Sequence, residues 1–415
     1  MLKKLPPKLY YFSEILIEIQ IVTAIYLRGM KGWIEFHMKL RNDCHKRNVA
    51  ILRTTAIDPE PRVEKTAKWL QENGFTVIIM GWDREGTSPS REIINGITIE
   101  RSKFKGKYGA GLANLLGMVQ FNLHIIKRLF EEKPIIVHAC DLDTLVPALI
   151  YCKIAKKKLV YDIFDFYAES RYVGRFKELI RQFERWCCNK CDSIIIVHEK
   201  RIEQLEPVSD STRTKISVIY NTPDEIENIN PNIASNYFCY VGVLHPDRGI
   251  KHVINVVKHV PTIRFIYAGF GPLENELIRI SSGAENIIFL GRINYQTALE
   301  LEEGALAIIA FYDASMGGNN LYAAPNKLFE ALMLGKPLIT SEGTLLADIV
   351  KTENIGYVVP FGNEELLRNT LLSIINNPED AKLKGKRARE LYDNKYSAKI
   401  AKERLLEIYS KMSQS

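Results

Sequence analysis

From Asn48 onward the chain alternates short apolar runs with longer stretches of helical spacing. Val49-Ala50-Ile51-Leu52 is one such run. Val63 to Asn73 then repeats apolar residues every three to four positions, Gly74 stops it, and Thr76-Val77-Ile78-Ile79-Met80 is the next run. Ile135-Ile136-Val137, Leu159-Val160-Tyr161 and Ser193-Ile194-Ile195-Ile196-Val197 continue the series. Runs apolar at every position suit strands buried on both faces, and their alternation with helices predicts a parallel sheet wrapped by helices. Polar, turn-rich residues 221 to 236 break the pattern, so a domain boundary is expected there. A second alternating series runs from Phe238 to about Pro360. The expected organisation is α/β: an extension over 1–47, a first Rossmann-like domain over 48–222, a second over 236–385, and charged helices over 386–415.

The stretch Ala323-Ala324-Pro325-Asn326-Lys327-Leu328-Phe329-Glu330-Ala331-Leu332-Met333-Leu334-Gly335-Lys336-Pro337 predicts a short helix with marked ends. Pro325 sits where a helix begins, and Gly335 with Pro337 where one must stop. Leu328, Leu332 and Gly335, with Phe329 and Met333 beside them, give one buried face, and Glu330 projects from another side. The helix start offers unpaired N–H groups and a partial positive charge suited to a phosphate. Glu330, a turn away, is placed to accept from two ribose hydroxyls, so the pair would hold a nucleoside diphosphate. An ordinary amphipathic helix with an exposed Glu gives the same spacing.

The surroundings favour the ligand. Phe238-Cys239-Tyr240-Val241-Gly242-Val243-Leu244-His245-Pro246-Asp247-Arg248-Gly249 reads as a strand, a loop and a basic residue. Ile266-Tyr267-Ala268-Gly269-Phe270-Gly271-Pro272-Leu273 and Ile287-Ile288-Phe289-Leu290-Gly291-Arg292 follow in that order. Gly269-Phe270-Gly271 has no third glycine and does not follow the first strand of its domain, so it is not a dinucleotide fingerprint. This series, closing with Pro325 to Pro337, resembles the nucleotide-binding half of glycosyltransferase family 4, which has the GT-B fold. Residues 48 to 222 resemble its other half more weakly.

The resemblance implies two doubly wound Rossmann-like domains facing across a cleft, with a last helix crossing back to the first domain. It implies a retaining, metal-independent, hexosyltransferase-like enzyme. That enzyme would move a sugar from a nucleotide diphosphate sugar to a glycan or lipid-linked acceptor in polysaccharide or glycoconjugate biosynthesis, with no cofactor. Arg248 matches the family's cation for the leaving diphosphate, and a guanidinium fork suits two phosphate oxygens. A second family cation falls at Val243, which leaves Lys327 to supply that charge. Glu330 matches the second of two glutamates eight positions apart, and Tyr322 stands where the first would be. Asn319 and Asn320 are candidates to replace that missing contact. Gly242, Gly269, Gly271, Asn320, Asn326, Lys327 and Leu328 complete the donor set with Arg248 and Glu330.

Ligands of parallel sheets sit at the carboxyl ends of strands. His138, Asp141, Asp143 and Asp165 are therefore the acceptor-side candidates, and Asp165 joins Arg248, Lys327 and Glu330 as a catalytic candidate. Asp165 is the polar group nearest Phe164, where many family members have a His. Carboxylates at these places also serve as helix caps. Asp141-Leu142-Asp143 could attract a metal, but a cation and a helix start neutralise a diphosphate equally well, so no metal is expected. Two rivals share the fold: a nucleotide-sugar 2-epimerase, and a non-catalytic nucleotide-sugar-binding subunit, the latter suggested by Tyr322, Val243 and Phe164.

Composition is that of a globular chain, 46% hydrophobic and 25% charged over 415 residues. Seven cysteines in a chain without a convincing signal peptide argue for a reducing, cytoplasmic setting. Cys187-Cys188-x-x-Cys191 lacks a second pair to complete four ligands and reads as helix packing. Residues 1 to 220 hold 36 of the 56 Lys and Arg and 26 of the 49 Asp and Glu, a balance of +10, against −3 for the rest. No nucleic-acid module accompanies that charge. An anionic membrane surface is the expected partner, met peripherally through Arg101-Ser102-Lys103-Phe104-Lys105-Gly106-Lys107-Tyr108 and the apolar run from Leu112 to Phe130. A solvated loop before a core helix would look the same. Leu9 to Leu27 carries Glu14, Glu18 and Gln20, too polar for a membrane span, and suggests an amphipathic helix instead.

Overall fold

The computed structural model describes residues 47–106, 115–170, 174–226, 229 and 236–414. The 1–46 stretch of the expected extension, Lys107, Tyr108 and the start of the apolar run from Leu112 lie outside the described residues.

Two sheets carry the described chain. The first has eight strands in the order β3-β4-β2-β1-β5-β6-β7-β8: β1 Asn48–Leu52, β2 Thr76–Trp82, β3 Arg91–Ile94, β4 Ile97–Ser102, β5 Ile136–Cys140, β6 Lys158–Asp162, β7 Ser193–Ile196 and β8 Ile216–Val218. β1 pairs in parallel with β2 and β5, β2 with β4, β5 with β6 and β7 with β8. Val49 to Leu52 are fully buried, as a continuous apolar run in such a sheet requires. β3 is the antiparallel exception, joined to β4 through Asn95-Gly96, both at positive φ, the conformation of a tight hairpin turn. The apolar-run reading passes over β4, because Ile97 and Ile99 are buried while Thr98 and Glu100 are only partly so, a period of two.

β4 also changes the reading of the basic segment that follows it. Arg101 is buried, pairs with Glu92, and donates to the carbonyls of Pro89 and Ile57 at 3.1 Å each. It belongs to the sheet, whereas Lys103 and Lys105 beyond it are exposed. Trp82 stacks on Phe121 with centroids 5.3 Å apart and donates to the Phe104 carbonyl at 2.7 Å, which fixes that segment's start. Among the described residues no helix is long and apolar enough to cross a membrane.

The second sheet is parallel throughout, in the order β11-β10-β9-β12-β13-β14. Its strands are β9 Phe238–Val243, β10 Phe265–Phe270, β11 Ile287–Phe289, β12 Ala307–Ala310, β13 Leu338–Ser341 and β14 Gly356–Val359. The order turns about β9: the chain winds outward through β10 and β11, then returns through β12 to the other side. Such a reversal leaves a crevice at the strands' carboxyl ends, where ligands of these sheets sit. The chain divides into two compact units, and the unit of Ile163–Trp186 and Ile194–Ser410 holds this whole sheet.

Candidate functional site

The helix marked in the sequence forms over Asn326–Leu334. Pro325 is its N-cap, a residue with no side-chain acceptor to occupy the first amides, and Gly335 closes it at φ 62. The Gly335 amide returns to the Leu332 carbonyl at 3.2 Å and that of Lys336 to Ala331 at 2.8 Å. Every residue from Leu328 to Met333 is buried. Leu328, Phe329, Ala331 and Leu332 pack with Tyr237, Cys239, Leu299 and Leu301 in one apolar cluster. Burying each larger side chain is worth about 1.5–3 kcal/mol, which anchors a helix too short to stand alone. Glu330, expected on an open face, is therefore buried as well, at 8% exposure.

Lys327 leans from the first turn onto the end of β9. A Cβ on Gly242 would lie 2.6 Å from Lys327 Nζ, and Nζ stands 4.6 Å above the Tyr240 ring. Gly242 has φ 146 and faces Gly269 in register on β10, where an added Cβ would meet the Gly242 carbonyl oxygen at 1.8 Å. Gly271 is also close, an added Cβ there meeting the Leu244 carbonyl oxygen at 2.5 Å. The glycines let two strand ends close together and leave bare backbone beneath an ammonium group. Val243, where the second family cation was missing, is exposed, and the Lys327 charge stands beside its neighbour Gly242.

Arg248 closes the loop after β9, its guanidinium 4.1 Å over the Tyr312 ring. Nη1 donates to Asp247 at 2.8 Å and to Asn320 at 3.3 Å. Asn320 Nδ2 donates in turn to Asp247 at 2.9 Å and to the Asp313 carbonyl at 3.0 Å. Burial by itself would raise the Asp247 pKa, but bonds from Asn320 and His245 and the Arg248 charge hold it below the usual carboxylate range. Burial raises the Tyr312 hydroxyl against the nearby positive charges of Lys327 and Arg248, so this ring lies within reach of both cations. Asp247, His245 and Tyr312 were not singled out in the sequence; Asp247 lies next to Arg248, but nothing local marks Tyr312.

Two further groups stand at Glu330. Tyr295 is half-exposed at the start of its helix, and desolvation followed by the nearby Glu330 charge raises its hydroxyl. Glu302, on the Tyr295–Gly304 helix, is 1% exposed beside Glu330 and Lys327. Asn326 accepts from Asn221 Nδ2 at 2.6 Å. Tyr322, at the place of the missing glutamate, donates to Glu203 at 2.9 Å, and Asn319 Oδ1 is buried without a partner among the described residues.

The other candidates divide between the two units. His138 is buried on β5, 3.2 Å from Asp162, which also pairs with Arg62. Burial acts to raise Asp162, yet Arg62 first and then His138 hold it low. His138, Cys140 and Asp162 have ligand atoms within 4.8 Å of one another, but the guanidinium on Asp162 already supplies its positive charge. Asp141 stands at the N-cap of Leu142–Ala155 with φ 62, paired to Arg53, and Asp143 accepts from Thr54 at 3.3 Å. Asp165, in the unit of the second sheet, is exposed and 3.9 Å from Arg201.

A doubly wound parallel sheet of this kind, together with a second parallel-sheet α/β unit, is the architecture of the GT-B glycosyltransferases. Sequence profiles agree on both halves: glycosyltransferase family 4 matches residues 60–225, and glycosyl transferases group 1 matches residues 221–391. The chain belongs to glycosyltransferase family 4. No curated protein matches it in sequence. Among solved structures it is similar to a sucrose-phosphate synthase from Thermosynechococcus elongatus, with a TM-score of 0.70 at 13% identity over 88% of this chain and 99% of that one. It is similar to HepE from Anabaena in complex with UDP-glucose, with a TM-score of 0.66 at 12% identity over 88% and 99%. A third is TarM from S. aureus with fondaparinux, α-GlcNAc-glycerol and UDP, with a TM-score of 0.60 at 14% identity over 89% and 100%. At such identities these likenesses establish the shared fold.

Proposed function

We propose that the protein transfers a hexose-like sugar from a nucleoside diphosphate sugar to a glycan or lipid-linked acceptor, with retention at the anomeric carbon and without a metal. The observation that carries this reading is Lys327 Nζ against Gly242, with Arg248 alongside on Tyr312. Two cations and an uncapped helix start face bare backbone at the strand end, the surroundings a diphosphate needs. Glu330 takes the ribose hydroxyls. As the bond from sugar to diphosphate breaks, the leaving charge grows among groups already positioned for it. A donor phosphate oxygen then accepts the acceptor's proton on the same face. Structural neighbours that hold UDP and UDP-glucose support uridine as the first base to test.

The acceptor belongs to the other half; of the acceptor-side candidates His138 is fully enclosed, whereas Asp141, Asp143 and Asp165 are not. His138 would act there through Asp162. The site requires no cofactor. Exposed Lys103 and Lys105 support a peripheral stay on anionic membrane from the cytoplasmic side. Tyr322, engaged with Glu203 where the family has a sugar-contacting glutamate, favours one second reading: a subunit that binds donor without turning it over. Screening nucleoside diphosphate sugars by thermal shift, then following the bound donor with candidate acceptors by NMR, separates the two. A product with the donor's anomeric configuration, formed equally in EDTA, is expected. Inversion, or activity lost to EDTA and restored by Mg²⁺, would overturn the mechanism, and binding without turnover under every acceptor would favour the subunit.

A further inference from the structure

Glu302 is a buried acid that the reaction as described does not use. It is 1% exposed near the end of the Tyr295–Gly304 helix, and its Oε2 has no hydrogen-bond partner among the described residues. This helix packs on β9 and on the Asn326–Leu334 helix, so the titratable and charged groups around Glu302 can be named. From β9 and the residue before it come Cys239, which is fully buried, and Tyr237, whose hydroxyl donates to the Leu301 carbonyl at 2.8 Å. From the facing helix come Lys327 and Glu330, three residues apart and so on neighbouring positions of one face. Its own helix adds Tyr295, whose hydroxyl feels the Glu330 charge, and Glu303, 3.8 Å from Lys336. Burial, and then the Glu330 carboxylate, push the Glu302 pKa well up, with Lys327 opposing.

A buried carboxylate with an unpartnered oxygen is costly when ionised and tolerable as a neutral acid. We propose that Glu302 is a positioning residue that stays a neutral carboxylic acid beneath the donor site and keeps Lys327 and Glu330 available to the nucleotide. With Glu302 neutral, one carboxylate and one ammonium share this place, and Lys327 can lean over Gly242. With Glu302 ionised, two carboxylates compete for that ammonium, and the second negative charge repels a diphosphate. Nucleotide binding is therefore linked to the Glu302 proton, and donor affinity falls as that proton is lost at alkaline pH.

This inference rests on the donor site proposed above, and the test separates the two. Uridine diphosphate affinity is measured by calorimetry from neutral to alkaline pH for the wild type and for Glu302→Gln, an uncharged mimic of the acid. The uracil titrates in both experiments and the two proteins differ only at residue 302, so the difference between the profiles reports Glu302. The expected result is near-equal affinity at neutral pH and a fall about tenfold larger in the wild type as pH rises. Glu302→Gln should also gain melting temperature over the wild type as pH rises, because an acid raised on folding stabilises below its unfolded pKa and loses that effect above it. A carboxylic acid infrared band present in the wild type at neutral pH and missing from Glu302→Gln reads the proton directly. Superimposable affinity profiles, or no such band, would overturn the role of Glu302. Failure of both proteins to bind any nucleoside diphosphate would overturn the donor site, and this role with it, while the band and melting curves still report the protonation state.

Discussion

Arg248 and Glu330 differ in what surrounds them, and their removal should differ accordingly. Arg248 lies over Tyr312 with Asp247 and Asn320 as polar partners, so Arg248→Ala removes a phosphate cation and leaves Asp247 with His245 and Asn320. Glu330→Ala removes the proposed ribose acceptor. Each loses a charge-assisted hydrogen bond worth about 1.5–3 kcal/mol, which predicts ten- to hundredfold weaker donor binding by calorimetry with melting curves little changed. Unchanged affinity in both variants would refute the site. Gly269 makes the contrasting case. A Cβ there would penetrate the Gly242 carbonyl at 1.8 Å, with φ 138 already outside what a side chain favours. Gly269→Ala should lose at least about 2 kcal/mol of stability in urea titrations, with donor affinity falling as a consequence.

At the level of elements, the carboxyl ends of β5 and β6 are tied by the buried set Arg62, Asp162 and His138. Breaking such a pair leaves an uncompensated guanidinium, so Asp162→Asn should cost about 3–5 kcal/mol. The sign of its pH dependence follows from a folded pKa held low. The stabilisation is present above the unfolded carboxylate value near 3.9 and is lost as pH falls through the lower folded value. Urea unfolding of the wild type should therefore weaken steeply below about pH 4, and Asp162→Asn should show a shallower decline. Equal slopes in the two proteins would mean that this ion pair does not govern acid stability.

For the whole molecule, charge is divided along the chain: +10 over residues 1 to 220 and −3 over the remainder. A basic residue at an anionic leaflet contributes about 1 kcal/mol, so a few acting together give reversible, salt-sensitive association. Sedimentation with phosphatidylserine vesicles should show binding that high salt removes and that a Lys103, Lys105 and Lys107 to Ala variant reduces. Neutral vesicles should bind little. Equal binding to both vesicle types, or none, would leave a soluble acceptor as the better reading. Arg101 is left out of that variant because its side chain holds the hairpin to the sheet.

The sequence by itself determined the strands whose residues are apolar at every position and the ends of the Asn326–Leu334 helix, and it singled out the glycine, arginine and lysine proposed to meet a diphosphate. Those features are local: a buried strand, a proline start and a glycine stop each restrict the backbone where they stand. β3 and β4 were not legible, because β4 alternates buried and half-buried positions and β3 is almost wholly exposed, so neither forms a continuous apolar run. The tertiary structure decided which distant residues meet. The Lys327 ammonium stands beside Gly242 because the start of its helix faces the end of β9, across more than eighty residues of chain. Tyr312 and Glu302 join the site because β12 and the Tyr295–Gly304 helix pack beside β9. Glu330 reads as a charge projecting away from the buried face toward a ligand, but its surroundings leave it only 8% exposed. Burial depends on what packs against a helix, and the spacing of residues along it does not contain that information.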